Sequence, residues 1–368
     1  MKATPIIALA IIIASTMVLA AAPSDGADGE SYYYSQLDAN GKAIYNELSN
    51  YEGYYEPSFT VTVQLPGFIL FEDDIDAKAY AKAETYAKDV LTVALWAKYL
   101  SEPMFVHLWN LPVEAVAGTV TVSEATVTVD EGIKTGFVAA SVKFTLSVPS
   151  KLAEDLESRM KAVKTAAQSI SNGVTGSNNA EMAKNIAKAI AKDCKFTESM
   201  DADEGSVSNI YDCLVLGESG SRGFGQAFSL VCQLKGVEAI TVNGSYYKDK
   251  TERIDSMWNA VECDGKWYDV DLINYKLGYG GTIMAGTTTN LTNNNSSRLH
   301  ATVYVPERIT GKSIDLMPHE IEREGYEFPD ERPFYEKYSD YILLAGVAAI
   351  IIAFMAYAVR TGNIRIEY

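Results

Sequence analysis

With 368 residues the chain is long enough for one large domain or two, and its 48% hydrophobic and 21% charged residues exclude a disordered polymer. Lysine and arginine total 31 against 48 aspartates and glutamates, a net charge of −17. That balance excludes nucleic acid as a general partner, which needs a basic stripe to displace counterions, and it excludes simple adhesion to anionic headgroups.

The chain opens on Met1-Lys2, an apolar run from Ile6 to Leu19, and Ala20-Ala21-Ala22 before polar Ser24-Asp25-Gly26. A positive start, a short apolar run and small residues at its end read as a secretory signal peptide over residues 1–22. Pro23 disfavours a cut directly after Ala22. A retained anchor is the alternative, against which the run is short for a span. Ser31 to Ser49 then carries apolar residues at helical spacing, and Phe59-Thr-Val-Thr-Val-Gln-Leu alternates like a strand. Asp76 to Leu100 predicts an Ala-rich amphipathic helix, and Met104 to Trp109 a short strand. Thr119–Val129 and Phe137–Val148 alternate β-branched residues, which predicts a hairpin around Asp130-Glu-Gly. Helices are expected over Lys151–Ile170 and Ala180–Cys194, on either side of a Gly/Ser/Asn-rich loop.

Four cysteines, Cys194, Cys213, Cys232 and Cys263, fall in one 70-residue window. In an exported chain an even number permits disulfides, with the connectivity left open. Their spacing matches no zinc site, so no metal and no cofactor is expected. Sequons stand at Asn243, Asn290, Asn294 and Asn295, the last three inside a Thr/Asn/Ser-rich stretch that reads as an exposed loop. Tyr341 to Val359 holds no charge over 19 residues and is followed by Arg360. At about 1.5 Å per residue it spans one hydrocarbon core, and the arginine puts the tail 360–368 on the cytoplasmic side. The expected topology is a single-pass protein of the cell membrane with a large acidic N-terminal ectodomain outside.

The informative stretch is Ser208–Asp271. It contains Ser221-Arg-Gly-Phe-Gly-Gln-Ala-Phe, then Gly236-Val237, then Ser256-Met-Trp-Asn, then Asp264-Gly-Lys-Trp-Tyr-Asp-Val-Asp271. This resembles the transglutaminase-like superfamily in the form found in prokaryotic envelope proteins. The resemblance implies an α+β, papain-like fold: a nucleophile-position helix packed on an antiparallel sheet over 151–330, after an α+β N-terminal region at 30–150. Whether 30–150 is a domain of its own or an extension of the same core stays open.

Active members of that superfamily use a thiolate at a helix N-terminus, a histidine on the adjacent strand and an aspartate that orients it. Carried onto this chain, the cysteine position falls on Ser221, the histidine position on Ser256 and the aspartate position on Asp271. Two of the three chemical types are missing. A serine hydroxyl is inert without a general base, and the three histidines, His107, His300 and His319, all lie outside the motif. Gly223 and Gly225 leave room for close approach at the helix start, while Phe224, Trp258 and Trp267 match positions of core or cleft wall. The resulting expectation is a membrane-anchored pseudoenzyme whose ectodomain binds a peptide or another envelope protein. An active protease or amide-transferring hydrolase with a non-standard catalytic group is the alternative from the enzyme class. A structural or adhesion module is the third.

Overall fold

The computed structural model describes residues 29–72, 76–109, 116–129, 132–148, 150–197, 208–248, 252–278, 283–287, 297–299, 303–305, 314–316, 318–328 and 334–361. The signal-peptide segment, His300, Asn290, Asn294, Asn295 and all but the first two residues of the expected tail lie outside the described residues.

The expected first helix is two: α1 (Gly29–Ser35) and α2 (Ala39–Ser49). Asp38 breaks them apart, because its carboxylate accepts from Gly41 N at 2.7 Å and so caps the start of α2. Strand β1 (Ser58–Gln64) alternates exposed and buried side chains, and the 26-residue α3 (Asp76–Ser101) follows. Residues 104–109 are not the predicted strand. They turn through a 3-10 helix at Val106–Leu108 in which Phe105, Val106, Leu108 and Trp109 are all buried. Here the apolar run comes from burial on every side, which imitates a strand over so short a length. The hairpin of β2 (Gly118–Val129) and β3 (Gly132–Ser147) forms as expected, and β1 pairs with the other edge of β3 in the order β1-β3-β2.

The second half begins with the short α4 (Ser150–Ala153), then α5 (Leu156–Gly173) and α6 (Asn179–Asp193). A two-residue parallel ladder joins β4 (Lys195–Phe196) to β5 (Glu218–Ser219), and a π-helical turn at Asp212–Leu216 lies between them in sequence. Helix α7 (Ser221–Lys235) leads into β6 (Ala239–Lys248), β7 (Glu252–Cys263) and β8 (Lys266–Val270). Asp264 (φ 56°) and Gly265 (φ 76°) form the two-residue turn between β7 and β8, both left-handed as such a hairpin requires. After α8 (Leu272–Lys276) come β9 (Ile283–Ala285), β10 (Ser297–Leu299) and the pair β11 (Val303–Val305) and β12 (Ile314–Leu316). The main sheet is antiparallel in the order β10-β6-β7-β8-β9. The chain is therefore a mixed α+β fold.

Both faces of β6–β7 are covered. Ile240, Val242, Trp258 and Ala260 belong to one apolar cluster with Tyr33, Leu91, Leu95 and Phe144 of the N-terminal region. Tyr33 Oη also donates to the Thr241 carbonyl at 2.7 Å. On the other face, Val261 and Cys263 join Phe224, Ala227, Phe228 and Val231 of α7, with Ile186 and Ile190 of α6. The helix-on-antiparallel-sheet arrangement expected around Ser221 is thus present, and residues 29–148 pack against the reverse of the same sheet.

Beyond the short α9 (Phe334–Lys337), α10 (Ser339–Arg360) runs for 22 residues and holds an 18-residue stretch with a mean hydropathy of 2.7, long and apolar enough to cross a membrane by length and composition. Its Leu343, Ile350 and Phe354 are exposed, where a core helix would bury them.

Candidate functional site

The lead-in to α7 is a network of local hydrogen bonds. Asn209 Oδ1 accepts from Tyr211 N at 2.8 Å and Asp212 N at 3.1 Å, and Asp212 Oδ2 accepts from Asn209 N at 3.1 Å. The π-helical turn closes on Gly217 at φ 76°, and two residues of ladder then deliver the chain to α7. Gly220 caps the helix in an extended conformation without a side-chain cap. A Cβ at Gly223 would lie 2.1 Å from Ser219 Oγ and 2.4 Å from the Asn209 carbonyl oxygen, so the helix start fits against its own lead-in only with glycine there. At Gly225 a Cβ would meet Met257 Cγ at 3.1 Å, and Asn259 Nδ2 donates to the Gly225 carbonyl at 3.0 Å. Both glycines thus serve close approach, as read from the sequence.

Ser221 is the first residue of α7 and Ser256 lies in β7, each only 8% exposed. Side chains alternate along a strand, and Met257 and Asn259 point at α7, so Ser256 and Trp258 project from the opposite face. The β7 side chains turned toward the first turns of α7 are therefore a thioether and an amide, neither of them a base. Asp271 sits where β8 ends and caps α8: its Oδ1 accepts from Asn274 N at 2.9 Å and its Oδ2 from Asn274 Nδ2 at 2.6 Å. Helix α8 packs against α7, which puts Asp271 on α7's side of the sheet. Of the three positions, Ser221 and Asp271 flank one helix and Ser256 faces away.

The two histidines within the described residues stand elsewhere. His107 is buried between Phe59 and Phe105 with Nε2 2.8 Å from the Glu56 carbonyl, and burial pushes its pKa down. His319 is half-buried in a three-ring stack, 3.6 Å from Tyr32 and 3.8 Å from Trp267 between centroids. Burial lowers its pKa to about 4, so the imidazole is neutral at physiological pH. Burial also pushes the Cys213, Cys232 and Cys263 thiols up, away from the thiolate that reacts.

Of the proposed cleft residues, Gly223, Phe224 and Trp258 are buried, and Trp258 Nε1 donates to Asp269 Oδ1 at 3.1 Å inside the core. Trp267 instead lines an open cleft of about 760 Å3 with Lys266, Thr287, Pro318, His319 and Glu322. That volume is in the range that accommodates small ligands and peptide side chains. One cation–anion pair stands at its wall, Lys266 Nζ 3.0 Å from Glu322 Oε2. The sequence reading puts Trp267 in the wall of a cleft at Ser221, and it misses the stack with His319 and Tyr32, which sit 287 residues apart and carry no local signal of their pairing. Asn243, the described sequon, is half-buried within β6.

No family model and no curated protein matches the chain. Among solved structures it is similar to a TGase, with 14% identity and a TM-score of 0.26 over 41% of this chain and 43% of that one. A candidate protease from Parabacteroides distasonis aligns at 16% identity and a TM-score of 0.23, over 42% of this chain and 37% of that one. A candidate cysteine protease from Cytophaga hutchinsonii aligns at 11% identity and a TM-score of 0.25, over 43% and 65%. The shared part is less than two thirds of each of those chains.

Proposed function

We propose that this is a single-pass membrane protein whose transglutaminase-like ectodomain has lost its catalysis and serves as a binding module for a peptide or an envelope protein. The observation that carries the reading is the state of the three positions. Ser221 holds a hydroxyl where the resemblance requires a thiol, Met257 and Asn259 are the β7 side chains facing the helix, and the Asp271 carboxylate is engaged as a helix cap. A serine nucleophile needs a base to take its proton, and a carboxylate already accepting two hydrogen bonds as a helix cap is poorly placed to be that base. The signal-like segment 1–22 and α10 support an ectodomain outside the membrane.

The binding face in this proposal is the cleft walled by Trp267 and not the closed surroundings of Ser221. A flat indole beside a balanced pair of charges suits a peptide that offers an apolar side chain and one hydrogen-bonding flank. Full-length protein in detergent, screened against peptides from envelope proteins, is expected to bind without turnover. Trp267→Ala should weaken that binding about tenfold or more, and Ser221→Ala should leave it unchanged. Hydrolysis or amine transfer that disappears in Ser221→Ala would overturn the reading in favour of an enzyme.

A further inference from the structure

Cys194 and Cys213 are neighbours in the fold although 19 positions apart. Cys194 is the residue that ends α6, and its backbone N–H closes the helix on the Ile190 carbonyl. The next residue, Lys195, donates to the Gly217 carbonyl at 2.8 Å, and Gly217 is the cap of the π-helical turn that contains Cys213. The ladder of β4 and β5 holds the two segments in this register, with Lys195 opposite Glu218. Both side chains are buried in the same apolar cluster, 2% and 3% exposed; each is a free thiol in the structure, Cys194 Sγ donating to the Lys195 carbonyl at 3.7 Å, and Cys194 is a neighbour that helps to raise the Cys213 pKa. The remaining two cysteines have other surroundings. Cys263 meets the Ala180 backbone and its neighbour Asp264, and Cys232 is sealed into α7's packed face.

We propose that Cys194 and Cys213 are joined by a disulfide and that Cys232 and Cys263 stay reduced. The bond would staple the end of α6 to the turn that positions α7, and it would close the intervening segment into a loop. Its formation removes one proton from each thiol and two electrons from the pair. An external disulfide oxidant accepts them, its own S–S bond opening to two thiols. Thiol exchange proceeds through a thiolate, and burial in the finished fold disfavours that form at Cys213. The exchange therefore belongs to folding, before the cluster closes. The inference does not rest on the binding role proposed above.

The test is a thiol map of the full-length chain, exported into an oxidising compartment and alkylated at lysis under denaturing conditions. Alkylation at Cys232 and Cys263 alone, with a Cys194–Cys213 cross-linked peptide, is the expected result. Four alkylated cysteines, or any cross-link that includes Cys232 or Cys263, would overturn it. A second measurement separates folding from export. Denatured, reduced chain refolded in detergent with a glutathione redox buffer should regain the same cross-link, whereas the oxidant added after refolding under reductant should form it at least tenfold more slowly. Equal rates in the two orders of addition would remove the argument that the bond is set before burial.

Discussion

Asp271 is held in place by a structural requirement of its own. Its carboxylate binds a backbone N–H and a side-chain amide of the same residue, Asn274, at the start of a five-residue helix. Asp271→Ala should cost about 1 kcal/mol, the usual scale of a lost N-cap, measured by urea denaturation of the full chain. Gly223→Ala is expected to cost more, about 1–3 kcal/mol, because the added methyl meets the Asn209 carbonyl as well as the Ser219 hydroxyl. A reversed order of the two effects would mean that the helix start yields more easily than the cap. That a helix starts at Ser221 was legible through the resemblance, whereas the capping role of Asp271, at a five-residue helix with no periodicity to announce it, was not. Nor was the direction of Ser256. A strand turns alternate side chains to opposite faces, and nothing local says which residue of Ser256-Met257 meets the helix.

At the scale of elements, periodicity was the reliable guide where it ran long. The alternation of Thr119–Val129 and Phe137–Val148 returned as the hairpin β2–β3, and the Ala-rich pattern from Asp76 returned as α3. The six residues from Met104 were too few for the pattern to separate a strand from a buried turn, and Trp109 Nε1, donating to the Pro103 carbonyl at 2.8 Å, holds that turn closed. Helix α10 is the element whose apolar surface has the plainest consequence. At about 1.5 Å per residue its 22 residues reach roughly 33 Å, and its charges lie at the ends, Asp340 and Arg360. The full chain should sediment with membranes and resist carbonate extraction, whereas a chain ending at Tyr338 should not. Release of the full chain by carbonate would mean that α10 lies against protein and not in lipid.

For the molecule as a whole, the segment from Pro318 is fastened at several points. Ile321 pairs with Trp267, Glu322 N donates to the Trp267 carbonyl at 2.8 Å, Tyr326 N donates to the Met284 carbonyl at 2.9 Å, and His319 stacks on Tyr32. This stack ties α1 to β8 across nearly the full length of the sequence. The folded pKa of His319 is depressed to about 4 against an ordinary 6.5, so between those values the unfolded chain binds the proton and the folded chain does not. Stability is therefore retained above pH 6.5 and falls as the pH drops toward 4. His107, also depressed by burial, acts in the same direction. His319→Phe keeps a flat ring in the stack and removes one of these protons. The decline in Tm from pH 7 to pH 5 should be shallower in that variant, and an unchanged slope would assign the dependence to His107 and the acidic groups.

Among the described side chains, the β6–β7 part of the main sheet is covered on both faces. Tyr33, Leu91 and Phe144 cover one side of β6–β7 while α7 covers the other, so the strands beneath Ser221 are shared property of the first and last parts of the chain. A fragment starting near Ser150 would carry the whole motif, yet it would present Ile240, Val242, Trp258 and Ala260 to water as a bare apolar wall. Such a piece should be insoluble alone and rescued by residues 29–148 supplied as a separate chain, which makes the two halves a natural pair for fragment complementation.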